Sequence, residues 1–166
     1  YTAADRKESV ADHCFRIALM AMLLQGEEEF RNMDMDKVIR MCLIHDLGEA
    51  FTGDIPTFEK TSADTEKETA FFLDWVNSFP SPQKEEWLSL LAEMESLATP
   101  ETNTYKALDK LEAVISHNES DLSTWLPLEY DLQLTYGKEN VEFSEYLKAL
   151  SNCIDQWTKR KIETRS

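Results

Sequence analysis

Apolar residues recur every three or four positions through most of this chain of 166 residues. The first such stretch runs from Glu8 to about Gln25, and its apolar side consists of Val10, Cys14, Ile17, Ala18, Ala21 and Leu24. This spacing predicts an amphipathic helix. No segment alternates with the period of two that half-buried strands show. The chain is therefore predicted to be all-α.

The same pattern predicts further helices, two of which end before Gly53 and Pro80. They run from Asp34 or Asp36 to before Gly53, from about Ala63 to Ser78, from near Pro82 through Met94, from Thr99-Pro100 through Ile115, from near Leu126 to Thr135, and from about Ser144 to Lys161. No internal repeat or break in composition divides the chain. Because its length suits one hydrophobic core, residues 1–166 are predicted to form a single domain, a bundle of about six or seven helices.

The charge of the chain limits its partners. Acidic residues outnumber basic ones 32 to 17, which gives a formal net charge of −15. Such a charge repels nucleic-acid backbones and anionic membranes. Polymeric nucleic acid is therefore not an expected partner. A small anionic substrate is still compatible with the sequence, because a bound divalent ion reverses the field locally.

The cysteines and the hydropathy pattern bear on the compartment. The three cysteines, Cys14, Cys42 and Cys153, are odd in number and lack zinc-ribbon spacing, so free thiols are expected. No stretch reaches the roughly 18 continuous apolar residues that a membrane helix needs, and the first residues do not resemble a signal peptide. The sequence predicts a cytoplasmic protein with no membrane partner.

Two of the only three histidines have a carboxylate neighbour. His13 follows Asp12, and His45 precedes Asp46. Adjacent helical residues point about 100° apart, so His45 and Asp46 would approach one ion from two sides, with other ligands from other helices. Glu49, one turn further on, shares their side of the helix. The alternative is a core histidine at 13 and an ordinary helix-end pair at 45 and 46.

A set of imidazoles and carboxylates suits one divalent ion such as Mn²⁺, Co²⁺, Fe²⁺, Zn²⁺ or Ni²⁺, and Mg²⁺ is also compatible with it. Such an ion lowers the pKa of bound water and neutralises phosphoryl oxygens, so hydrolysis of a phosphate ester is its natural use.

Three sequence blocks make the prediction of a metal-dependent phosphate-ester hydrolase more specific. They are followed by Asp109 in Ala107-Leu108-Asp109-Lys110-Leu111. The blocks are Arg6-Lys7-Glu8-Ser9-Val10-Ala11-Asp12-His13, Leu43-Ile44-His45-Asp46-Leu47-Gly48-Glu49 and Gly53-Asp54-Ile55-Pro56-Thr57. In this order, over most of the chain, they resemble the HD-domain metal-dependent phosphohydrolases, and within them the 5′-deoxynucleotidase branch. The resemblance implies an HD-type helical bundle with a metal site between helices.

The resemblance also implies roles for individual residues. The metal ligands would be His13, His45, Asp46 and Asp109, from three helices. Glu49 would handle the proton of the attacking water, and Asp54 would help to position water or the leaving oxygen. The substrate contacts would come from the turn formed by Asp54, Ile55, Pro56 and Thr57.

Several polar residues near the blocks are left outside the predicted site. Arg6 is read as either an anchor or a phosphate contact, and His117 as a partly exposed residue at the rim. Lys60, Lys106 and Lys110 could offset phosphate charge, but surface lysines are common. The resemblance also leaves the sugar open, because members of the branch carry an Arg-Trp pair upstream of the first block and only five residues precede Arg6 here.

The expected function is removal of phosphate from (deoxy)nucleoside 5′-monophosphates by a metal-activated water. One alternative is an HD hydrolase of another small phosphate ester, such as a cyclic or alarmone nucleotide. Another is a non-catalytic protein that senses a nucleotide through a retained metal site. The resemblance, with aromatic residues such as Trp125, Tyr136 and Trp157 outside the blocks, also predicts a homodimer.

Overall fold

The computed structural model describes residues 8–53, 55 and 59–164, and every regular element among them is helical. The α-helices are α1 (Val10–Leu24), α2 (Met35–Ile44), α3 (Glu49–Thr52), α4 (Ser62–Asn77), α5 (Gln83–Ser96), α6 (Pro100–Glu119), α7 (Glu129–Thr135) and α8 (Glu145–Glu163). Three short 3₁₀ turns lie at Glu28–Phe30, Leu122–Thr124 and Glu139–Val141. Seven of the described α-helices are seven or more residues long, so the predicted all-α fold is confirmed.

Capping residues in the sequence set where the main helices begin. The Ser9 hydroxyl accepts a hydrogen bond from the Asp12 N–H, and the Asp12 carboxylate accepts one from the Ser9 N–H. The same reciprocal cap begins α4 at Thr61 and α6 at Thr99. Each cap stabilises its helix by about 1 kcal/mol. The cap at Ser9 also fixes the first turn of α1, where His13 lies.

Helix α6 lies at the centre of the bundle. The helices α1 and α2 pack against each other and against α6, while α8 packs on another side of α6. The core that joins these helices contains Ile17, Val38, Met41, Leu108 and Leu111, all almost fully buried. Because α6 is covered on several sides, polar residues along it are buried as well.

The prediction of one continuous helix from Asp34 or Asp36 to before Gly53 was wrong. Helix α2 ends at Ile44, and residues 45–48 form turns before the short α3. Backbone hydrogen bonds from Leu47, Glu49 and Ala50 reach back three residues rather than four. Such bonds tighten a helix end. This break lets Asp46 and Glu49 leave the axis of α2 and face one cavity, while the His45 side chain beside them is buried.

Among the helices that the structure describes, none is both long and apolar enough to cross a membrane.

Candidate metal centre

Four residues predicted as ligands meet where α1, α2 and α6 come together. His13 projects from α1, His45 and Asp46 follow α2, and Asp109 lies in the middle of α6. The ligand atoms of His13, His45 and Asp46 all lie within 4.8 Å of one another. Asp109 Oδ1 is 3.4 Å from His13 Nε2 and 3.7 Å from His45 Nε2. Bonds of about 2.0–2.6 Å from one central ion span such separations.

His45 tests whether this cluster suits a cation. The side chain is 4% exposed, and its Nδ1 lies 3.0 Å from the Cys42 carbonyl oxygen, which can accept a hydrogen bond from it. The buried Nε2 forms no hydrogen bond within the described part of the chain, although Asp46 Oδ2 lies at 3.1 Å. A buried polar atom without a partner is costly. A divalent ion between the imidazoles and carboxylates would satisfy it, so the residues fit such a group.

The electrostatics of the cluster favour positive charge. Burial alone would lower the pKa of His13, but hydrogen bonds to Asp109 and Glu112 outweigh it and raise this pKa to about 10. Burial likewise opposes protonation of His45, yet Asp109 and Asp46 raise its pKa well above the usual value. The carboxylates that raise these pKa values by stabilising a proton on the imidazoles would equally stabilise a divalent ion. The ion binds neutral imidazoles and would therefore replace those protons.

Glu112 and Arg16 also belong to this centre, although neither was predicted from the sequence. Glu112 is fully buried one turn after Asp109 on α6. Its Oε2 lies 2.5 Å from His13 Nδ1, and its Oε1 lies 2.5 Å from Arg16 Nε. The available signal was the matched spacing of His13 with Arg16 and of Asp109 with Glu112, three residues in each helix. Residues at that spacing share a helix face.

A cavity of about 400 Å³ opens beside the cluster. His13, Asp46 and Asp109 line one part of it, and Glu49 lies on the same wall. The cavity continues along α6, where its lining includes Ala113, Ser116 and His117. Eight residues of α-helix separate Asp109 from His117, a rise of about 12 Å. The cavity is therefore long enough for a small molecule that touches the cluster at one end.

Glu49 is held in the cavity wall by Lys60. The Lys60 ammonium lies 3.0 Å from Glu49 Oε1 and 2.6 Å from Glu68 Oε2 on α4. Glu68 also packs closely on Gly48, where an added Cβ would lie 2.7 Å from Glu68 Cγ. The absence of a side chain at Gly48 thus allows α4 to hold the turn that carries Asp46 and Glu49.

Two further lysines lie on the other side of Asp109. Lys106 Nζ is 2.8 Å from Asp109 Oδ2, and Lys110 Nζ is 3.3 Å from the same oxygen. Lys110 also donates a hydrogen bond to the Tyr136 hydroxyl, and its stem packs against Gly137, whose φ is +70°. Both lysines line the cavity, as does Lys60, although none of the three was included in the predicted site.

The structure describes only some of the other residues that the sequence singled out. Ile55 lines the cavity, as expected for a substrate contact. Asp54, Pro56, Thr57 and Arg6 lie outside the described residues. His117 lines the far end of the cavity and packs against Trp125, with ring centroids 4.5 Å apart and ring planes tilted by 38°.

Comparison with known proteins identifies the family. The sequence matches the HD domain over residues 1–151, and the chain belongs to this family. The 5′-deoxynucleotidase HDDC2 of Xenopus laevis is 33% identical over 117 residues, covering 69% of this chain and 56% of that protein. The protein of the same name from Dictyostelium discoideum is 31% identical over 118 residues, with coverages of 68% and 62%. The chain thus spans about three fifths of the length of these relatives.

A solved structure supports the same fold. A predicted metal-dependent phosphohydrolase from Magnetospirillum magnetotacticum superposes with a TM-score of 0.76 and 27% sequence identity. The match covers 95% of this chain and 81% of that chain. The helical arrangement around the cluster is therefore that of the HD-domain family.

Proposed function

We propose that this chain is a metal-dependent phosphohydrolase that removes phosphate from (deoxy)nucleoside 5′-monophosphates. The observation that carries this proposal is a single cavity lined by His13, Asp46 and Asp109, by Glu49 and by three lysines. A purely structural metal site has no use for an additional acid and three ammonium groups. The family membership and the names of the relatives support the same reaction class.

In this proposal His13, His45, Asp46 and Asp109 hold one divalent ion. The mixed imidazole and carboxylate set suits Mn²⁺, Co²⁺, Fe²⁺, Zn²⁺ or Ni²⁺, and also admits Mg²⁺. When bound, such an ion supplies Lewis acidity toward a phosphoryl oxygen and acidifies water. The orphaned Nε2 of His45 supports this assignment.

The lysines would bind the phosphate and stabilise the charge on its oxygens. The protein carries a net charge of −15, so a phosphate dianion needs a local cationic surface to enter. Lys106 and Lys110 provide that surface beside Asp109, with Lys110 held in place by Tyr136. Ammonium groups aimed at phosphoryl oxygens lower the barrier to phosphoryl transfer. Glu49, on the same cavity wall, would accept the proton of the attacking water.

The nucleoside would lie further along α6. The cavity extends from the cluster to Ser116 and His117, and Ile55 lies in its wall. The position of Ile55 supports its own proposed contact with the substrate, and we propose further contacts from Asp54, Pro56 and Thr57, which lie outside the described residues. A chain with free cysteines also fits the proposed cytoplasmic location, where thiols stay reduced.

The first experiment measures phosphate release from deoxynucleoside and ribonucleoside 5′-monophosphates. Metal-free protein is assayed after addition of Mn²⁺, Co²⁺ or Mg²⁺, with cyclic and alarmone nucleotides in the same panel. We expect metal-dependent phosphate release from 5′-monophosphates. The rates for the deoxyribose and ribose substrates will give the sugar preference. If only cyclic or alarmone nucleotides are hydrolysed, the substrate class is one of these instead. If nucleotides bind but none is hydrolysed with any of the metals, the protein is a sensor.

We also propose a homodimer that forms through α1. Phe15, Leu19, Met22 and Leu23 lie on one face of this helix and are between 46% and 72% exposed. A contiguous apolar face of this kind is typical of a protein interface. A second copy of the chain would cover it.

Sedimentation tests the dimer. We expect the wild type to sediment at twice the chain mass of 19.2 kDa, and Leu19→Glu with Leu23→Glu to sediment at the chain mass, because charges on the face oppose its burial. Leu126→Glu is the matched control, since Leu126 is similarly exposed outside α1. A monomeric wild type at micromolar concentration would contradict the proposal.

A further inference from the structure

Glu112 is the most deeply buried carboxylate beside the candidate metal centre. It is 0% exposed on α6, within the same helix face that contributes core residues such as Leu108 and Leu111. An ionised carboxylate in a protein interior is costly unless cations or donors surround it. An apolar side chain of similar size would pack at this position without that cost. The buried charge therefore calls for a physical reason.

The contact with His13 supplies one. Glu112 Oε2 lies 2.5 Å from His13 Nδ1, on the side of the ring away from the cluster. A carboxylate at this nitrogen accepts its hydrogen, so Nδ1 carries the proton in the neutral ring. The lone pair is then on Nε2, which lies 3.4 Å from Asp109 Oδ1 and 3.8 Å from Asp46 Oδ2. Glu112 thereby presents the ligating nitrogen of His13 to the centre.

Arg16 holds Glu112 in turn. Arg16 Nε lies 2.5 Å from Glu112 Oε1 in an ion pair, and the guanidinium Nη1 donates a hydrogen bond to Glu119 Oε2 at 2.6 Å. Arg16 is one turn after His13 on α1, while Glu112 is one turn after Asp109 on α6. Each helix thus contributes one residue to the cluster and one to the pair behind it. The positive charge of Arg16 stabilises the buried carboxylate and keeps Oε1 turned toward it, which leaves Oε2 for His13.

We propose that Glu112, oriented by Arg16, is a positioning residue that sets the tautomer and orientation of His13 for binding a divalent cation. The proposal rests on the metal site of the proposed function, but not on the identity of the substrate. Carboxylates behind a ligating histidine orient the ring, and their loss commonly weakens metal binding by 10–100-fold. The proposal therefore concerns metal affinity as well as turnover.

The test compares Glu112→Gln, Arg16→Gln and Arg16→Lys with the wild type. Mn²⁺ affinity is measured by calorimetric titration of metal-free protein, and thermal unfolding is measured with and without Mn²⁺. We expect Glu112→Gln to weaken Mn²⁺ binding by roughly 10–100-fold. Arg16→Gln should have a smaller effect in the same direction, and Arg16→Lys should restore part of the loss because it keeps the charge.

Glu119→Gln is the matched control, because it also removes a carboxylate that contacts Arg16, but one that is partly exposed and does not contact His13. It should leave Mn²⁺ affinity within about threefold of the wild type if only the inner contact positions His13. A purely structural ion pair would instead lower the unfolding temperature of metal-free Glu112→Gln and leave its Mn²⁺ affinity unchanged. That result would overturn the proposal.

Two remaining outcomes are also decisive. If Glu112→Gln does not fold, the variants Arg16→Gln and Arg16→Lys test the proposal instead. Unchanged Mn²⁺ affinity in Arg16→Gln would contradict it. If no nucleotide is hydrolysed but Mn²⁺ binding weakens in Glu112→Gln, the proposed function fails and the positioning role stands. The two proposals can thus fail separately.

Discussion

The double substitution His45→Ala with Asp46→Ala is expected to remove phosphate release and Mn²⁺ binding together. It deletes two of the four side chains that meet at the cluster, including the buried imidazole whose Nε2 has no hydrogen bond among the described residues. A divalent ion contributes several kcal/mol to stabilising phosphoryl-transfer charge. Because each 1.36 kcal/mol is tenfold in rate, we expect activity to fall by roughly a thousandfold or more.

Steady-state phosphate release and calorimetric Mn²⁺ titration check this expectation. Asp46→Asn, which keeps the shape of the side chain, guards against a loss that reflects unfolding, and it should show the same defects in milder form. Asp74→Ala, at an exposed acid on α4, is the control for simple loss of negative charge. Retained activity in a folded double variant would count decisively against a metal centre at this cluster.

The fold follows from local signals that the sequence carries. The apolar spacing and the caps at Ser9, Thr61 and Thr99 are contained in short windows, so α1, α4 and α6 begin close to their predicted positions. The break after Ile44 was not predicted, because a helix tightened by three-residue hydrogen bonds keeps almost the same side-chain pattern. At the break Gly48 packs against Glu68, and that contact joins the turn before α3 to α4, which are too far apart to fall in a short sequence window.

The same difference between local and long-range signals separates the site residues that were predicted from the one that was missed. The sequence blocks predicted His13, His45, Asp46 and Asp109, and the structure brings these four side chains together; their role as ligands stays a prediction. Glu112 was missed because a lone glutamate on a helix ordinarily lies on the solvated face. Its contact with His13 joins residues 99 positions apart, and no local pattern reports such a distance.

The substitution Glu49→Gln is expected to lower kcat while leaving metal affinity nearly intact. Glu49 lines the cavity beside the cluster, and Lys60 holds its carboxylate at 3.0 Å. Glutamine keeps the size and a hydrogen-bond acceptor but cannot take a proton. Loss of a general base commonly lowers the rate by about 10²–10⁴-fold. The KM for a 5′-monophosphate should change little, because the lysines that would bind phosphate remain.

A matched variant separates proton transfer from the local ion pair. Glu68→Gln removes the other carboxylate from Lys60 and leaves Glu49 in place, so it tests the ion pair alone. We expect its kcat to stay within about tenfold of the wild type, since Lys60 keeps one partner. Equal losses in the two variants would mean that Glu49 acts only by holding Lys60. A large loss confined to Glu49→Gln, with Mn²⁺ affinity preserved, would place proton transfer on that carboxylate and exclude a ligand role for it.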